Sequence, residues 1–346
     1  MNIVVLTGGV STERDVSIST AVGIADALRS KGHKAMLVDV FLGCPHIADY
    51  ANVFDREDTF PYIIGLLGDT PVDIEAIQKM RVGSDIYFGK GVIEICKSAD
   101  FVFIASHGGN CENGRIQAVF DCYGIKYSGS GYVASALAMN KVLSVQILHQ
   151  SGISVAESEM LKRPCRVGIP YPVVIKAQSQ GSSVGVYLAH NDAEYDEMVK
   201  EAFNHDDIVL VEKYIQGREF SVGIVGETVL PVIEIKLNGD MFDYTAKYQA
   251  GVADEICPAP ISPELTQKLQ KAAAKAYDAL LLSGYARIDF LADEHENIFC
   301  LEANTIPGLT PNSLLPKEAA VFGWSYVYLC EKIIESSLHL KTSIDI

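Results

Sequence analysis

The chain contains 346 residues, a length that predicts two or three domains rather than one hydrophobic core. Hydrophobic residues make up 49% of it and charged residues 21%, which is typical of a compact soluble protein. The formal net charge of −16 argues against a general affinity for nucleic acids or anionic membranes, but it does not forbid a local basic pocket for phosphates.

The N-terminal part of the chain predicts a parallel sheet wrapped by helices. Residues 3–7 form a short apolar run that is followed by two glycines and a helical segment, which indicates a strand, a turn and a helix. Residues 34–40 and 101–109 predict two further strands, and the segment GRIQAVFDCYG predicts a helix. Residues 43–98 are poorly periodic, so we predict no elements there.

The middle of the chain predicts a second unit, beginning near residue 126. Residues 137–153 indicate one helix that ends at Gly152. A strand over 171–178 is followed by the loop QGSSVG and by another strand. A helix over 192–204 and a strand over 208–215 complete this unit.

A third unit is predicted from its long strands and one well-marked helix. The strands cover residues 218–226 and 229–235. Ser262 is the expected cap of the helix, Pro263 occupies its first turn, and Gly284 follows its end.

The segment RIDFLADEHENIFCLEANTIPG predicts a hairpin with polar residues on one face. Strand side chains alternate between faces, so Arg287 and Asp289 point to the same side. On the second strand, Cys300, Glu302 and Asn304 are expected to share a face. If the strands pair, these side chains gather near one end of a sheet.

These polar side chains need partners, because burying them unpaired would cost several kcal/mol. One interpretation is a structural salt bridge of Arg287 with Asp289 or Glu302. The other is a hard divalent cation such as Mg²⁺, since carboxylate and amide oxygens suit a metal that phosphate also holds. The hairpin alone leaves both interpretations open.

A glycine-rich segment, GSSVG, could bind phosphate oxygens through its backbone N–H groups, or it could be an ordinary hairpin turn. The chain contains neither a Walker GxxxxGK[ST] loop nor a GxGxxG motif after its first strand. Lys176 lies in the apolar run VVIKA just before the segment, where it needs an anionic partner such as phosphate.

Other candidates have equally ordinary alternatives. Lys141 on a helix is by default a solvated lysine, and Glu212 and Glu219 in a strand-turn pattern are by default exposed. The two glutamates could instead meet a purine amino group and ribose hydroxyls. His107 ends an apolar strand before two glycines, as site residues at the open end of an α/β sheet do, but a structural histidine fits as well.

Cysteine spacing and the N-terminus both favour the cytosol. The eight cysteines are scattered without a CxxC pair, which favours reduced thiols over disulfides or a zinc site. The segment MNIVVLTGG lacks the features of a signal peptide, and no apolar stretch approaches the roughly 20 residues of a membrane helix. We therefore predict a cytoplasmic location without nucleic-acid or membrane partners.

A series of motifs in a fixed order carries more information than each motif alone. The chain contains GGVSTERDVS, HGGNCENG, MNK, IKAQSQGSSVGV, VEKYIQGREF, FDYTAKY, ARIDF and LEANTIPGLTPNSLLP. This set resembles the D-alanine:D-alanine ligases of the ATP-grasp superfamily, from about residue 3 to residue 316. The resemblance implies an α/β fold with an N-terminal parallel-sheet domain over 1–125 and two α+β ATP-grasp subdomains over 126–210 and 211–346.

The resemblance also implies the reaction and its cofactors. ATP would activate the carboxylate of one D-alanine as an acylphosphate, and the amine of a second D-alanine would attack it, giving a precursor for peptidoglycan. Two Mg²⁺ ions, with Mn²⁺ as an alternative, would be held by Asp289, Glu302 and Asn304. Arg287 would stabilise the transferring phosphoryl group and the tetrahedral oxyanion. A homodimer is implied by the resemblance alone.

Substrate residues follow from the same motifs. Glu13 would bind the ammonium of the first D-alanine, with Val16 beside its methyl group and His107 near its carboxylate. Ser182 and Tyr248 would connect to Glu13 and close the site. The remaining implied contacts are Lys141, Lys176, Ser183, Glu212, Tyr214, Ile215 and Glu219 for ATP, Lys247 beside the closed site, and Gly308, Ser313 and Leu314 for the second D-alanine.

The chain departs from the family pattern at a few positions. Cys111 replaces a glycine and Asn113 an aspartate in HGGNCENG, Asn140 stands for the aspartate of MDK, and Ala177 for a proline. The proposed metal positions are all kept, so we expect activity. The replacements at Cys111 and Asn113 are expected to affect the geometry near His107.

Other functions are alternatives to the ligation of two D-alanines. Ligases that use D-lactate depart from the KY pair of the closing loop, which is intact here in TAKY. Ligation of D-serine is not distinguishable, because the second side-chain pocket is not legible in the sequence. Arg287 together with the acidic residues argues against a nucleotide-binding homologue that has lost its activity. Glu13 together with Ser182 and Tyr248 argues against an ATP-grasp ligase that acts on a different carboxylate.

Overall fold

The first sheet is parallel, as predicted, and β1 (Asn2–Thr7) lies between β2 (Lys34–Asp39) and β3 (Phe101–Ile104). Both faces of β1 are buried: Ile3 and Val5 belong to one apolar cluster, and Val4 and Leu6 to another. This double burial explains why the strand is a continuous apolar run rather than an alternating one. The other elements of this part are α1 (Arg14–Ser30), a 3₁₀ turn (Val53–Asp55), α2 (Ile74–Met80), α3 (Val92–Ser98), a 3₁₀ turn (Gly109–Cys111) and α4 (Arg115–Cys122).

These elements are those of a computed structural model. Between residues 43 and 98, where no elements were predicted from the sequence, the structure contains the short helices α2 and α3. The structure describes residues 1–45, 47, 49–50, 52–55, 72–81, 87–179, 181, 184–237 and 253–341.

The single helix predicted over residues 137–153 is wrong, because the chain breaks at Asn140. This residue has an extended backbone (φ −85°, ψ 97°), and its side chain accepts a hydrogen bond from the Leu143 N–H at 3.0 Å. Asparagine favours such a capping position, where its side chain satisfies an N–H that lacks a helical partner. The result is two helices, α5 (Tyr132–Met139) and α6 (Lys141–Gln150).

The second sheet is antiparallel. It consists of β4 (Ser158–Leu161), β5 (Val173–Ala177), β6 (Val186–Ala189) and β7 (Val209–Lys213) in the order β4-β7-β5-β6, and α7 (Asp192–His205) connects β6 to β7. Helix α7 covers it: Tyr195 and Val199 pack in one apolar cluster with Val173 and Ile175. Asn191 caps α7 by accepting from two backbone N–H groups.

The third sheet is antiparallel. It consists of β8 (Arg218–Val225), β9 (Thr228–Val229), β10 (Ile233–Leu237), β11 (Ala253–Ile256), β12 (Tyr285–Ala292) and β13 (Ile298–Asn304). The order is β11-β10-β8-β12-β13, with β9 paired to β8. The strand predicted over 229–235 is instead two strands on either side of Pro231, which has no N–H to donate. The predicted caps of the following helix are confirmed, since Ser262 accepts from the Leu265 N–H at 3.1 Å. The helices of this part are α8 (Pro263–Ala279), α9 (Leu314–Phe322) and α10 (Tyr326–Lys341).

The predicted hairpin is formed by β12 and β13, with one irregularity. The register shifts between Asp289 and Phe290, so that Asp289 pairs with Glu302 and Phe290 with Cys300. This extra residue interrupts the alternation of β13. Cys300 therefore packs in the apolar cluster with Phe290, and the expectation that it shares a face with Glu302 is wrong.

Candidate functional site

Polar side chains project from one face of the third sheet. Arg287 and Asp289 lie on β12 with one residue between them, and Ile288 packs in the apolar cluster on the opposite face. Asn304 and Glu302 are their cross-strand partners on β13. The predicted gathering of these four side chains is confirmed.

The Asp289 carboxylate is almost fully buried and has partners on three strands. The Arg287 guanidinium binds it through Nε (2.9 Å) and Nη2 (2.8 Å). Ser221 on β8 donates from Oγ at 2.7 Å, and Asn304 donates from Nδ2 at 2.9 Å. The salt bridge that the sequence left open is therefore present, and it lies inside a larger hydrogen-bond network.

The charge of Arg287 is stabilised by its surroundings. Burial opposes the charged form, but the charge of Asp289 and its hydrogen bonds raise the pKa of Arg287 above its ordinary value. The carboxylates of Glu302 and Glu318 act in the same direction. A guanidinium with these neighbours is a permanent positive charge at the edge of the site.

The oxygen donors on this face fit a hard divalent cation. Among the described residues the Glu302 carboxylate makes no hydrogen bond, and Asn304 uses only its Nδ2 toward Asp289, which leaves its carbonyl oxygen. No cluster of three or more His, Cys, Asp or Glu that could hold a metal occurs in the described part of the chain. Two carboxylates and an amide are a donor set for Mg²⁺, which usually keeps waters and substrate phosphates as further ligands.

Lys176 has the anionic partner that its buried position required, and this partner is Glu212. Lys176 lies on β5 and Glu212 on the adjacent β7, and their side chains form an ion pair with exposed fractions of 14% and 8%. The alternative in which Glu212 is solvent-exposed is therefore wrong. Strand pairing brings the two residues together, although 36 positions separate them in the chain.

Lys141 is the first residue of α6, next to the second sheet. Its N–H donates to the Gln178 carbonyl at 3.2 Å. Burial lowers the pKa of Lys141, and the charge of Lys176 lowers it further, whereas the carboxylates of Glu302 and Glu212 oppose the shift. Lys141 therefore lies within electrostatic reach of both the β13 carboxylate and the Lys176 ion pair, and it is not an ordinary solvated lysine.

The segment after β7 contains the other residues that were predicted to bind the nucleotide. Tyr214 and Ile215 are half-buried, and the Tyr214 N–H donates to the Pro172 carbonyl at 3.1 Å. Glu219 lies near the start of β8, two residues before Ser221, so both project from the same sheet face. The predicted adenine and ribose residues thus lie at the junction of the second and third sheets.

Loops of the first sheet place Glu13, Val16 and His107 together. Glu13 immediately precedes α1, and Val16 lies in its first turn. The His107 N–H donates to Ser17 Oγ at 2.8 Å, which attaches the loop after β3 to the same helix. A Cβ atom on Gly108 would lie 3.1 Å from Glu13 Oε2, so the backbone passes close to this carboxylate.

His107 is buried, and its ring nitrogen Nδ1 lies 3.2 Å from the Ile306 carbonyl and 3.6 Å from Glu112 Oε1. Burial lowers the pKa of His107, but the hydrogen bond and charge of Glu112, together with the charge of Glu13, outweigh it and raise the pKa. These carboxylates favour the imidazolium. A cationic His107 suits the carboxylate-binding role that the resemblance implies.

A buried ion pair between Arg14 and Asp39 supports this loop. Arg14 also donates from Nη1 to the Gly9 carbonyl at 2.7 Å. Asp39 accepts from the N–H groups of Phe41 and Leu42, both at 2.8 Å. Neither residue is recognisable from the sequence alone, because their pairing depends on the β1–β2 register.

The departures Cys111 and Asn113 have structural accounts. Cys111 is buried beside Ser106 Oγ (3.1 Å) and Tyr87 OH (3.6 Å), and burial raises the pKa of its thiol to about 11. The thiol is therefore a protonated packing group rather than a reactive thiolate. Asn113 accepts from the Arg115 N–H at 3.2 Å, which stabilises the start of α4.

The predicted cradle for the second substrate is the N-terminus of α9. Ser313 precedes the helix and Leu314 is its first residue. Ser313 Oγ accepts from the Thr310 N–H at 3.1 Å, and a Cβ atom on Gly308 would lie 2.9 Å from it. Free N–H groups at a helix N-terminus are suited to a carboxylate.

A cleft of about 570 Å³ opens at the substrate end of this arrangement. Another cleft, of about 630 Å³, contacts Met1, Lys97 and Tyr123 and contains none of the predicted residues. We associate function with the first cleft, because its lining includes the loops around Glu13 and Gly108.

Four of the predicted residues lie outside the described residues. They are Ser182, Ser183, Lys247 and Tyr248. Their roles stay predictions from the resemblance.

Ser221 is a functional candidate that the sequence analysis missed, and a signal for it existed. It is a lone hydroxyl between Phe220 and Val222 in the apolar strand REFSVGIV, and it is fully buried. A buried hydroxyl needs a hydrogen-bond partner, which here is Asp289.

Family models match most of the chain. The model described as D-ala D-ala ligase N-terminus matches residues 2–130, and the model described as D-ala D-ala ligase C-terminus matches residues 137–335.

None of the helices in the described part of the chain has the length and hydropathy of a membrane-spanning helix.

Individual relatives agree with the family models. A D-alanine–D-alanine ligase of Pediococcus pentosaceus is 41% identical over 344 residues, covering 96% of this chain and 97% of that protein. One from Lacticaseibacillus casei is 42% identical, covering 98% and 96%. The structure resembles the crystal structure of the Bacillus anthracis ligase complexed with ATP (TM-score 0.75, 27% identity, 99% of both chains). It also resembles the VanG D-Ala:D-Ser ligase of Enterococcus faecalis (TM-score 0.76, 27% identity, 97% of this chain and all of that one).

Proposed function

We propose that this chain, which belongs to the D-alanine–D-alanine ligase family, uses ATP to join two D-alanine molecules into D-alanyl-D-alanine for peptidoglycan synthesis. The observation that carries the proposal is the polar face of the third sheet. There a guanidinium, two carboxylates and an amide lie together, and the Glu302 carboxylate lies within electrostatic reach of Lys141, whose pKa the charge of Lys176 also affects. This arrangement can hold clustered phosphate charge.

In the first step, a carboxylate oxygen of one D-alanine attacks the γ-phosphorus of ATP, giving the acylphosphate and ADP. Glu13 binds the ammonium of this D-alanine, Val16 lies beside its methyl group, and His107 lies near its carboxylate. Lys141 and Lys176 contact the phosphates. These fixed charges orient the reactants and offset the negative charge that they bring together.

In the second step, the free amine of the other D-alanine attacks the acyl carbon. The carbon–nitrogen bond forms as inorganic phosphate leaves, and the amine releases its proton. Gly308, Ser313 and Leu314 hold the carboxylate of this substrate at the N-terminus of α9. Arg287 stabilises the oxyanion of the tetrahedral intermediate by its permanent charge.

Asp289, Glu302 and Asn304 would hold Mg²⁺ or Mn²⁺, whose charge neutralises phosphate oxygens when the metal is bound. The adenine and ribose would be bound by Glu212, Tyr214, Ile215 and Glu219. One Glu212 oxygen fixes the Lys176 ammonium, and the other can accept from the purine amino group.

Several finer features belong to the same proposal. Ser182 and Tyr248 would close the site over the substrates, with Lys247 beside them, and Ser183 would contact ATP. The domain boundaries at 125/126 and 210/211, the homodimer and the cytosolic location follow from the resemblance and composition.

The test is ADP release by the purified protein with ATP and Mg²⁺, comparing D-alanine alone with D-alanine plus D-serine or D-lactate, with products identified by mass. We expect D-alanyl-D-alanine from D-alanine alone. A mixed product formed in preference to the dipeptide would replace the proposal with a D-serine or D-lactate ligase. ATP binding without turnover in any mixture would indicate a homologue that has lost its activity.

A further inference from the structure

A buried carboxylate, Glu318, lies on α9 against the face of the third sheet that carries Arg287. Its side chain is fully buried, and Oε1 accepts a hydrogen bond from the Gly223 N–H at 3.1 Å. Its other oxygen, Oε2, has no hydrogen-bond partner among the described residues. A carboxylate in this setting is costly to keep unless a nearby charge requires it.

Gly223 gives independent support for a specific packing of Glu318 against the sheet. Gly223 on β8 is the cross-strand partner of Arg287 on β12. A Cβ atom at position 223 would lie 2.4 Å from Glu318 Oε2 and 2.3 Å from Leu315 Cδ1. Glycine therefore leaves the space in which the Glu318 carboxylate can lie on the same face of the sheet as the Arg287 side chain.

The charges of Glu318 and Arg287 are coupled. Burial raises the pKa of Glu318 well above its ordinary value, and the Arg287 charge opposes this shift. In the other direction, Glu318 is one of the carboxylates that raise the pKa of Arg287. Glu318 is thus a fully buried carboxyl group whose ionised form is favoured by the Arg287 guanidinium and by the Gly223 N–H.

The position of Glu318 along α9 also connects two parts of the site. Glu318 follows Leu314 by four residues, which is about one helical turn, so it lies close to the proposed cradle of the second D-alanine. Asp289, the present partner of Arg287, is also a proposed metal ligand. Its charge must then be shared between the cation and the guanidinium.

We propose that Glu318 is a positioning residue for Arg287. From α9 it holds the guanidinium in line with the transferring phosphoryl group while Asp289 serves the cation, and it fixes the cradle of the second D-alanine relative to that group. This inference rests on the proposed function and adds a residue that the family motifs did not supply.

The test compares Glu318→Gln with the matched control Glu234→Gln. Glu234 is another buried carboxylate of the same sheet, paired with Arg218 on β8 and without a role in the site. In Glu318→Gln, a carbonyl oxygen can still accept from the Gly223 N–H, but the carboxyl group that the guanidinium favours as an anion is replaced by a neutral amide. We expect kcat to fall about tenfold or more, KM for the second D-alanine to rise, and ATP affinity to stay within about twofold.

The Glu234→Gln control should keep kcat within about twofold of the unmodified chain, even if its midpoint of thermal unfolding changes. A purely structural Glu318 would change the midpoint and leave kcat unaltered, and that result would overturn the inference. If the unmodified chain forms no dipeptide, the proposed function fails instead. An active unmodified chain with an equally active Glu318→Gln variant removes only the inference.

A double-mutant cycle with Arg287→Lys tests whether Glu318 acts through Arg287, using Glu318→Asp where the glutamine variant does not fold. If it does, the Glu318 substitution lowers kcat much less in the Arg287→Lys background than in the unmodified chain. Independent, multiplicative losses would overturn the inference.

Discussion

At the scale of single residues, Asp289 is the most constrained group in the candidate site. Its carboxylate accepts hydrogen bonds from Arg287, Ser221 and Asn304 and has almost no contact with solvent. If any of these partners is removed, the buried Asp289 charge is less well compensated. The resulting loss of stability is usually larger than the net contribution of the hydrogen bond itself. The same network fixes where the Arg287 guanidinium can point.

We predict that Arg287→Ala abolishes measurable dipeptide formation and leaves ATP affinity within a few-fold. The reason is that Arg287 stabilises charge developing in the transition state, whereas the lysines carry most of the ground-state phosphate binding. Turnover and nucleotide titration measure the two effects separately. Arg218→Ala is the control, because Arg218 is also paired with a glutamate of this sheet but lies outside the site.

The prediction for Arg287 fails if the alanine variant turns over normally. A parallel loss of ATP affinity and turnover would assign the residue to nucleotide binding instead.

His107 gives a prediction for pH dependence. Its folded-state pKa is raised above the ordinary 6.5, so its contribution to stability is fully present below about pH 6.5 and is lost as pH rises through the folded pKa. We expect the free energy of unfolding to decline over that window in the unmodified chain, and His107→Gln to flatten the decline. Denaturant titrations at a series of pH values measure it.

The control for the pH series is His149→Gln, which replaces an exposed histidine at the end of α6. It should retain the decline. An unchanged slope in His107→Gln would show that other groups cause the dependence.

At the scale of elements, the break between α5 and α6 determines where Lys141 lies. A continuous helix would carry Lys141 along its surface, whereas the cap at Asn140 makes it the first residue of α6. From there it comes within electrostatic reach of Glu302 and the Lys176 ion pair. A single capping side chain thus connects a local backbone preference to the proposed phosphate site.

We predict that Asn140→Ala lowers the free energy of unfolding by about 1 kcal/mol and raises KM for ATP severalfold, because both the cap and the lysine position are lost. Asn140→Asp should retain both properties, since aspartate caps equally well. Asn191→Ala removes the matching cap of α7 and should lower stability without changing KM for ATP. Equal KM values in the two alanine variants would contradict the link between cap and site.

At the scale of the whole molecule, the candidate site is assembled from all three sheets. The first contributes Glu13 and His107, the second Lys176 and Glu212, and the third Arg287 with the metal candidates. One apolar cluster joins the first sheet to the third: Val5 and Phe103 pack with Tyr285, Leu315 and Leu329. The relative positions of the site residues therefore depend on core packing.

We predict that Leu329→Ala, in the centre of this shared cluster, lowers the free energy of unfolding by about 2–5 kcal/mol. The loss should also raise KM for the second D-alanine more than KM for ATP, because the cluster supports α9 rather than the second sheet. Denaturant unfolding and steady-state kinetics measure these effects. The exposed Leu281→Ala is the control and should change stability by less than about 1 kcal/mol.

If Leu329→Ala alters KM for ATP and for D-alanine equally, the cluster does not act selectively on α9. A loss of stability no larger than that of Leu281→Ala would contradict its central place in the core.

Features that depend on neighbouring residues could be predicted from the sequence. The strand-turn-helix start, the cap at Ser262 and the polar alternation of Arg287 with Asp289 follow from local periodicity and capping preferences, and the ordered motifs identified the family. Only the tertiary structure decided the Lys176–Glu212 ion pair, the bulge that turns Cys300 to the core, and Glu318 beside Gly223. Each of these depends on the register between strands or helices that are distant in the chain, and local backbone preferences carry no information about that register.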